Sequence, residues 1–496
     1  MLTILIFLPL AVSVALAALP RLPDRVVRWT FVAATGVEVM LAGVLWAGFT
    51  GPGYGYQVRV PWIPSIGVSY HVGVDGISLP LVAMTAVLFL ACAVYSLRQT
   101  RRVRGFVALL LFLETTSLGL FAALDLILFF LFLDLSIVGM YFVIAGWGHR
   151  DNRRSALTFF LYTFLGSLVL LLGFIGLYLA ASPSTFDIVR LAEQRPLAGS
   201  PVEGGLVLLA VCLGLAVKTP LVPLHSWLPP AHTDAPAAGS AILAGVLLKM
   251  GAYGFVRIAM PVLPEAWRQY AMVFVLLGVT GALYGALVAL AQRDLKRMIA
   301  YTSVNHMGYL ALGVGTAGIL AGNTDQARQL AVAGSVTQMV SHGLITGALF
   351  LLAGVCYDRA GSYEMDRYGG LAGTAPRFAA LVALGAFAAL GLPGFSGFIA
   401  EFQIFTGSLG AAPVPTALAL LGILVTAALF LRALQRVFLG PQRLPLPGVP
   451  FPDARPSEVA ATVPLLGLAL VIGVLPRFLL ELVEPGARAV AELVAR

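Results

Sequence analysis

The sequence has few charged residues. Asp, Glu, Lys and Arg make up 11% of its 496 residues, whereas 59% are hydrophobic. A soluble globular chain carries about 25% charged residues. This chain therefore lacks the charge needed to cover a water-facing surface, which excludes a soluble enzyme and indicates a membrane protein.

Cysteine is rare as well. Cys92, Cys212 and Cys356 lie far apart inside apolar runs and form no CxxC pair, so we interpret them as small core residues. The chain also lacks a phosphate-binding glycine loop, a Walker motif and a basic nucleic-acid patch. We therefore expect no cofactor or metal in this chain and no nucleic-acid partner.

Long apolar runs recur along the whole chain. Each is about 18 residues or longer and indicates a transmembrane helix, and the absence of period-two alternation excludes a closed barrel. The first run lacks a positively charged start and more runs follow, so we interpret it as a retained span. The predicted fold is an all-α polytopic membrane protein of about fourteen spans: 2–19, 29–49, 77–97, 105–123, 125–147, 155–181, 204–222, 236–260, 270–291, 298–320, 330–356, 376–405, 412–438 and 459–481.

The net charge of +8 is a clue to membrane topology. Most of the Lys and Arg residues outside the spans follow odd-numbered spans. By the positive-inside rule these loops lie in the cytoplasm. We expect an integral protein of the bacterial inner membrane, embedded in the lipid bilayer, with both termini on the outer side.

Lysine is the scarcest basic residue. Lys218, Lys249 and Lys296 are the only lysines among 31 basic residues, and we expect Lys296 in a cytoplasmic loop and the other two near mid-span. Arginine keeps its proton in proteins, whereas a buried lysine can release it. Because a charge at the bilayer centre costs at least about 2.5–3.5 kcal/mol, we predict that Lys218 and Lys249 transfer protons.

Acidic residues inside the spans are equally few. Glu114, Asp134 and Glu401 are the clear cases, whereas Glu38 and Asp125 are expected nearer to span ends. Asp134 lies in "LILFFLFLDLSIVGMYF" without a polar neighbour in its own helix. It needs a partner from another helix, for which Lys218 is the candidate.

Two spans are interrupted, at "KTPLVP" (218–223) and at "GLPGFSG" (391–397). Paired broken helices are typical of transporters with inverted repeats. Lys218 is expected to end one half-helix and Glu401 to lie in the first turn of another, where the helix dipoles favour their charges. The predicted organisation is flanking spans 1–3 (1–103), a first repeat of spans 4–8 (104–262), a second repeat of spans 9–13 (263–440), and a loop with span 14 (441–496).

Histidines add further titratable groups. His306 and His342 fall in spans 10 and 11, and His225 and His232 flank the first interruption. Imidazole can relay protons, but two intramembrane histidines could also bind a haem. The Ser, Asn, Thr and Gln residues beside His306 and His342 favour a hydrated proton path.

Several motifs resemble a known family. They are "AVKTPLVPLHSWLPPAHTDAPAAGSAILAGVLLKMGAYGFVR", "AYTSVNHMGYLALG", "MVSHGLITGALFLLAG" and "GLPGFSGFIAEF". They are similar to the antiporter-like proton-translocating subunits of respiratory complex I. The chain length and residues 153–178 favour the subunit M branch, to which mitochondrial subunit 4 is related, over the Mrp-type Na⁺/H⁺ antiporter and membrane-bound hydrogenase branches.

The resemblance implies a set of proton-transfer residues. In this family an acid of span 5 pairs with a lysine of span 7, which match Asp134 and Lys218, although the acid is usually glutamate. Glu114 is an auxiliary candidate. The implied path leads from Lys218 through waters and His306 to Lys249 and then to Glu401, and the matched residues are Asp134, Lys218, Lys249, Glu401, His306 and His342.

The resemblance also implies that redox energy comes from neighbouring membrane subunits, because we expect no redox site here. Two other classes stay open. A Na⁺/H⁺ antiporter subunit would need clustered carboxylates and carbonyls, whereas the sequence offers isolated acids. A secondary carrier of small organic anions would need Arg or aromatic residues at mid-depth, and no Arg is expected there.

Overall fold

The computed structural model describes residues 1–19, 21–443 and 451–495. Most of the described chain is helical, with one antiparallel hairpin of strands β1 (Gly55–Ile63) and β2 (Val68–Val74). The helices are α1 (Leu2–Ala18), α2 (Asp24–Gly48), α3 (Ser78–Tyr95), α4 (Val103–Ala122), α5 (Leu126–Trp147), α6 (Asn152–Ala180), α7 (Ile188–Gln194), α8 (Pro201–Lys218), α9 (Leu228–Asp234), α10 (Ala237–Val262), α11 (Pro264–Leu290), α12 (Leu295–Ala317), α13 (Asp325–Ala360), α14 (Pro376–Ala389), α15 (Ser396–Leu409), α16 (Pro413–Phe438), α17 (Pro456–Val474) and α18 (Arg477–Ala495).

The all-α membrane architecture is confirmed. Within the described residues, 11 helices are long and apolar enough to cross a membrane, and α1 and α14 are shorter apolar helices. Every predicted span overlaps a helix, and span 12 is divided between α14 and α15. The total of fourteen, the inverted repeats and the domain boundaries stay predictions, and residues 444–450 of the last segment lie outside the described residues.

Both predicted interruptions are present. Helix α8 ends at Lys218, so its ammonium lies at the negative end of the helix dipole, as expected. Helix α14 ends at Ala389 and α15 begins at Ser396. The prediction for Glu401 was wrong in one respect: it lies in the second turn of α15, where the dipole acts more weakly, because the helix starts later than the sequence indicates.

Helices α10 and α13 form the centre of the bundle. The most apolar 18-residue stretch of each is completely buried, and the two helices pack against each other. Helix α10 contains two π-helical segments, Leu243–Leu247 and Phe255–Ala259. Such π segments are rare and occur frequently at functional sites, and the first one directly precedes Lys249.

The hairpin was not predicted, because its strands are short beside the apolar runs. His71 lies in β2. In hindsight, "VRV" and "VSYHVGV" carry the β-branched and aromatic residues that favour strands.

An ion pair joins the hairpin to the centre of the bundle. Arg257, near the end of α10, lies with its Nη2 2.5 Å from Asp75 Oδ1, and both side chains are buried. Burial alone would raise the pKa of the Asp75 carboxyl, but the charge of Arg257 and hydrogen bonds from Ser78 and Ile77 hold that pKa below its ordinary value. The pair is therefore stabilising at neutral pH and weakens only as acid protonates the carboxylate below about pH 4.

Replacing Arg257 with Met should destabilise the protein strongly. The substitution leaves Asp75 buried without its counter-ion, and breaking a buried pair in this way costs about 3–5 kcal/mol. The measurement is the thermal midpoint of the detergent-purified protein. The matched control is Arg477→Met, which removes the exposed Arg477–Glu481 pair and should cost less than about 1 kcal/mol; equal losses in both variants would contradict the assignment.

Candidate proton-transfer site

Lys249 lies at the centre of the candidate site and is completely buried. Its Nζ lies 2.5 Å from the carbonyl oxygen of Ala244, inside the π-helical segment of α10, and 2.5 Å from Nδ1 of His342 on α13. When Lys249 is charged, its ammonium can only donate hydrogen bonds, and Nδ1 of His342 is then the acceptor. The two central helices are thus joined through one transferable proton.

A row of titratable groups continues from His342. The rings of His342 and His306 are 5.3 Å apart between centroids, and Nδ1 of His306 lies 3.7 Å from Oε1 of Glu401. Gln338 supports His306, with its Nε2 3.0 Å from the same Nδ1. The order is therefore Lys249, His342, His306, Glu401. The sequence led us to expect His306 between the two lysines, but it lies beyond Lys249, on the side of Glu401.

The loop between α14 and α15 fixes the position of Glu401. Gly391 adopts a φ of +77°, and a β-carbon there would collide with Oε2 of Glu401. Ser396, the first residue of α15, binds Ser341 of α13 through their hydroxyl oxygens at 2.8 Å. The second interruption thus brings the carboxyl group against the loop and ties α15 to the central helix.

Lys218 is buried at the end of α8, separate from this row. Its Nζ lies 3.2 Å from the Ser136 hydroxyl of α5 and 5.9 Å from the ring centre of Phe159. Asp134 lies on α5 two residues before Ser136, and its negative charge acts on the Lys218 ammonium. No ion pair within 4.0 Å joins Asp134 to Lys218 in the described part of the chain; Ser136 is the direct partner of the ammonium.

The assignment of Lys296 to a loop was wrong. It lies in the first turn of α12 and is completely buried, with Nζ 2.5 Å from the carbonyl oxygen of Ala235 and 5.0 Å from the ring centre of Tyr363. The sequence placed it in a loop because the predicted span began at residue 298, whereas the helix begins at Leu295. The segment after α9 folds over this end of α12 and encloses the lysine.

His232 on α9 is the residue that sequence reasoning underrated. It is completely buried and stacks on Phe350 with ring centroids 4.6 Å apart. Neither ring nitrogen has a hydrogen-bond partner within the described part of the chain. The charges of Lys296 and Lys249 both act on it. The only sequence signal for His232 was its place beside the first interruption.

Comparison with known proteins assigns the family. The sequence profile described as "NADH:quinone oxidoreductase/Mrp antiporter, TM" matches residues 123–429. A Rhodobacter capsulatus protein named NADH-quinone oxidoreductase subunit M is 38% identical over 510 aligned positions, covering 100% of this chain and 96% of that protein. The chain belongs to this family.

Solved structures of the family share the fold. A chain of respiratory complex I from Thermus thermophilus with bound NADH superimposes with a TM-score of 0.88 at 32% identity, covering 100% of both chains. A chain of the Mrp complex from Dietzia sp. DQ12-45-1b gives a TM-score of 0.87 at 22% identity, covering 99% of both. The second likeness concerns the fold alone, whereas the first extends the sequence relationship to the membrane arm of complex I.

Replacing Gly391 with Ala should impair proton transfer by displacing Glu401. The new methyl group collides with the carboxyl group, and the left-handed backbone costs roughly 1–2 kcal/mol in addition. The matched control is Gly394→Ala, because Gly394 has a φ of +101° and nothing within 4 Å of a β-carbon. Proton pumping should fall in the first variant and persist in the second; an equal fall in both would mean that backbone strain is responsible.

Proposed function

We propose that this chain is the proton-translocating subunit M of a bacterial NADH:quinone oxidoreductase. The observation that carries the proposal is the buried row Lys249, His342, His306 and Glu401, in which each group lies beside the next. The Rhodobacter capsulatus relative, which is matched over 96% of its length, bears the subunit M name, and the row consists of groups that can hold and release protons.

Proton transfer along the row follows from the donors and acceptors. Lys249 donates to Nδ1 of His342, so a proton that crosses this bond leaves a neutral amine and a charged imidazole. The proton then passes to His306 and from there to the Glu401 carboxyl group. Moving one charge against 100 mV costs about 2.3 kcal/mol, an amount that a modest change in local electrostatics can supply.

We propose that Lys218, which lies outside the row, controls the transfer of protons to it. Its ammonium is held by Ser136 and attracted by Asp134. When that counter-charge withdraws, a buried ammonium loses its support and gives up its proton. We propose His232 and Lys296, which are both completely buried, as the proton-uptake branch toward Lys249.

We propose that the driving energy comes from elsewhere in the complex. Electron transfer takes place in partner subunits, with no cofactor in this chain, and neighbouring antiporter-like membrane subunits transmit the signal. The chain resides in the bacterial inner membrane with both termini on the outer side, because the Lys/Arg distribution places odd-numbered loops in the cytoplasm.

Replacing Lys249 with Met should nearly abolish proton pumping. Methionine keeps the length and apolarity of the side chain but carries no proton, so the row loses its first donor. The measurement is quinone-coupled proton transport by the reconstituted complex, with assembly checked by native gel electrophoresis. Arg297→Met, at an exposed position of α12, is the control.

Pumping by Lys249→Met near the wild-type level would refute the proposed path.

Repeating the measurement in sodium-free buffer distinguishes the branches of the family. A proton-pumping subunit keeps its activity without Na⁺, whereas an Mrp-type Na⁺/H⁺ antiporter subunit loses it.

Asp134 provides a separate test of the control point. Asp134→Asn should nearly abolish pumping, because it removes the attraction that keeps Lys218 charged, whereas Asp134→Glu should be tolerated because the charge is retained. Glu114→Gln is the comparison: if it is severe while Asp134→Asn is mild, Glu114 rather than Asp134 serves Lys218.

A further inference from the structure

Two buried carboxyl groups lie outside the proposed path. Glu38 is in the middle of α2 and Glu114 in the middle of α4, and neither has any exposed surface. The expectation that Glu38 lies near a span end was wrong, because it is the fifteenth of the 25 residues of α2. Helices α2 and α4 pack against each other, and the two carboxyl groups interact electrostatically.

Among the residues that the structure describes, none is a hydrogen-bond partner of the four carboxyl oxygens. Thr115, next to Glu114, has a buried hydroxyl group that also lacks a partner among the described residues, whereas the hydroxyl groups one turn along each helix are engaged elsewhere. Thr35, one turn before Glu38, donates to the Phe31 carbonyl at 2.9 Å, and Ser117, one turn after Glu114, donates to the Leu113 carbonyl at 2.7 Å. Neither hydroxyl proton is therefore available to the acids.

This arrangement is costly for the fold. Burying a polar group without a hydrogen bond costs roughly 2–7 kcal/mol, and an ionised carboxylate costs far more. Two apolar residues of similar size would pack here without that cost. Acids at such depth in a membrane protein are a functional site by default, and the ligand that removes their charge most simply is a proton.

We propose that Glu38 and Glu114 form an exchangeable proton-binding site within the bundle, separate from the row that begins at Lys249. Its ligand is a proton delivered by water. A metal cation is a poorer occupant, because hard cations take about six or more oxygen ligands and no group of three or more acidic, His or Cys residues that could hold a metal occurs in the described ranges. The site extends the proposed function and does not depend on it.

Infrared spectroscopy of the purified, assembled complex tests the site directly. Protonated carboxyl groups have a carbonyl band separate from the bands of ionised carboxylates, and this band shifts when the proton is replaced by deuterium. We expect wild-type-minus-variant spectra of Glu38→Gln and of Glu114→Gln each to show a lost carboxylic-acid band that shifts in D₂O. The isosteric amide preserves the packing, and Glu38→Asp should retain a displaced band.

The exposed Glu193 supplies the control, because Glu193→Gln should leave this band unchanged. Three results would overturn the proposal: no lost band in the Glu38→Gln difference spectrum, a band that does not shift in D₂O, or a band that disappears as NaCl is titrated into the sample, which would identify a cation site. Because the resting complex is measured, failure of the pumping experiments leaves these outcomes unaffected.

Discussion

The contact between Lys249 and His342 is the constraint around which the bundle is arranged. A completely buried ammonium must be given acceptors, and here they are a carbonyl oxygen of its own helix and an imidazole of the next. Both require irregular or polar features at the centre of an apolar protein: a π-helical segment in α10 and a histidine in α13. Ser341, Gln338 and Glu401 extend the polar zone from there. The surrounding apolar residues separate this zone from solvent, and hydrogen bonds are stronger in such a low-dielectric environment.

Much of the fold and part of the site were predictable from the sequence. Hydrophobic run length locates the helices, because lipid leaves few alternatives for a backbone that must satisfy its own hydrogen bonds. The Pro and Gly clusters located both interruptions, and the scarcity of lysine singled out Lys218 and Lys249. Each of these signals is local in the sequence, which is why a single chain reveals it.

What the sequence could not provide was proximity between helices. Nothing in "YTSVNHMGY" indicates that His306 lies beside Glu401 rather than Lys218, since that depends on how α12 and α15 pack. Lys296 was assigned to a loop because helix boundaries are uncertain by several residues, and burial changes within one helical turn. The order of the groups and the Ser136 contact of Lys218 are likewise properties of packing.

The length of α13 has a mechanical consequence. Its 36 residues make a rod of about 54 Å at 1.5 Å per residue, whereas the hydrocarbon core of a bilayer is about 30 Å thick. The helix must therefore extend into the headgroup layers or tilt away from the bilayer normal. Since His342 and Gln338 both belong to it, any change of its tilt moves both against α10 and α12 together, so the thickness of the surrounding lipid becomes a variable of the proton path.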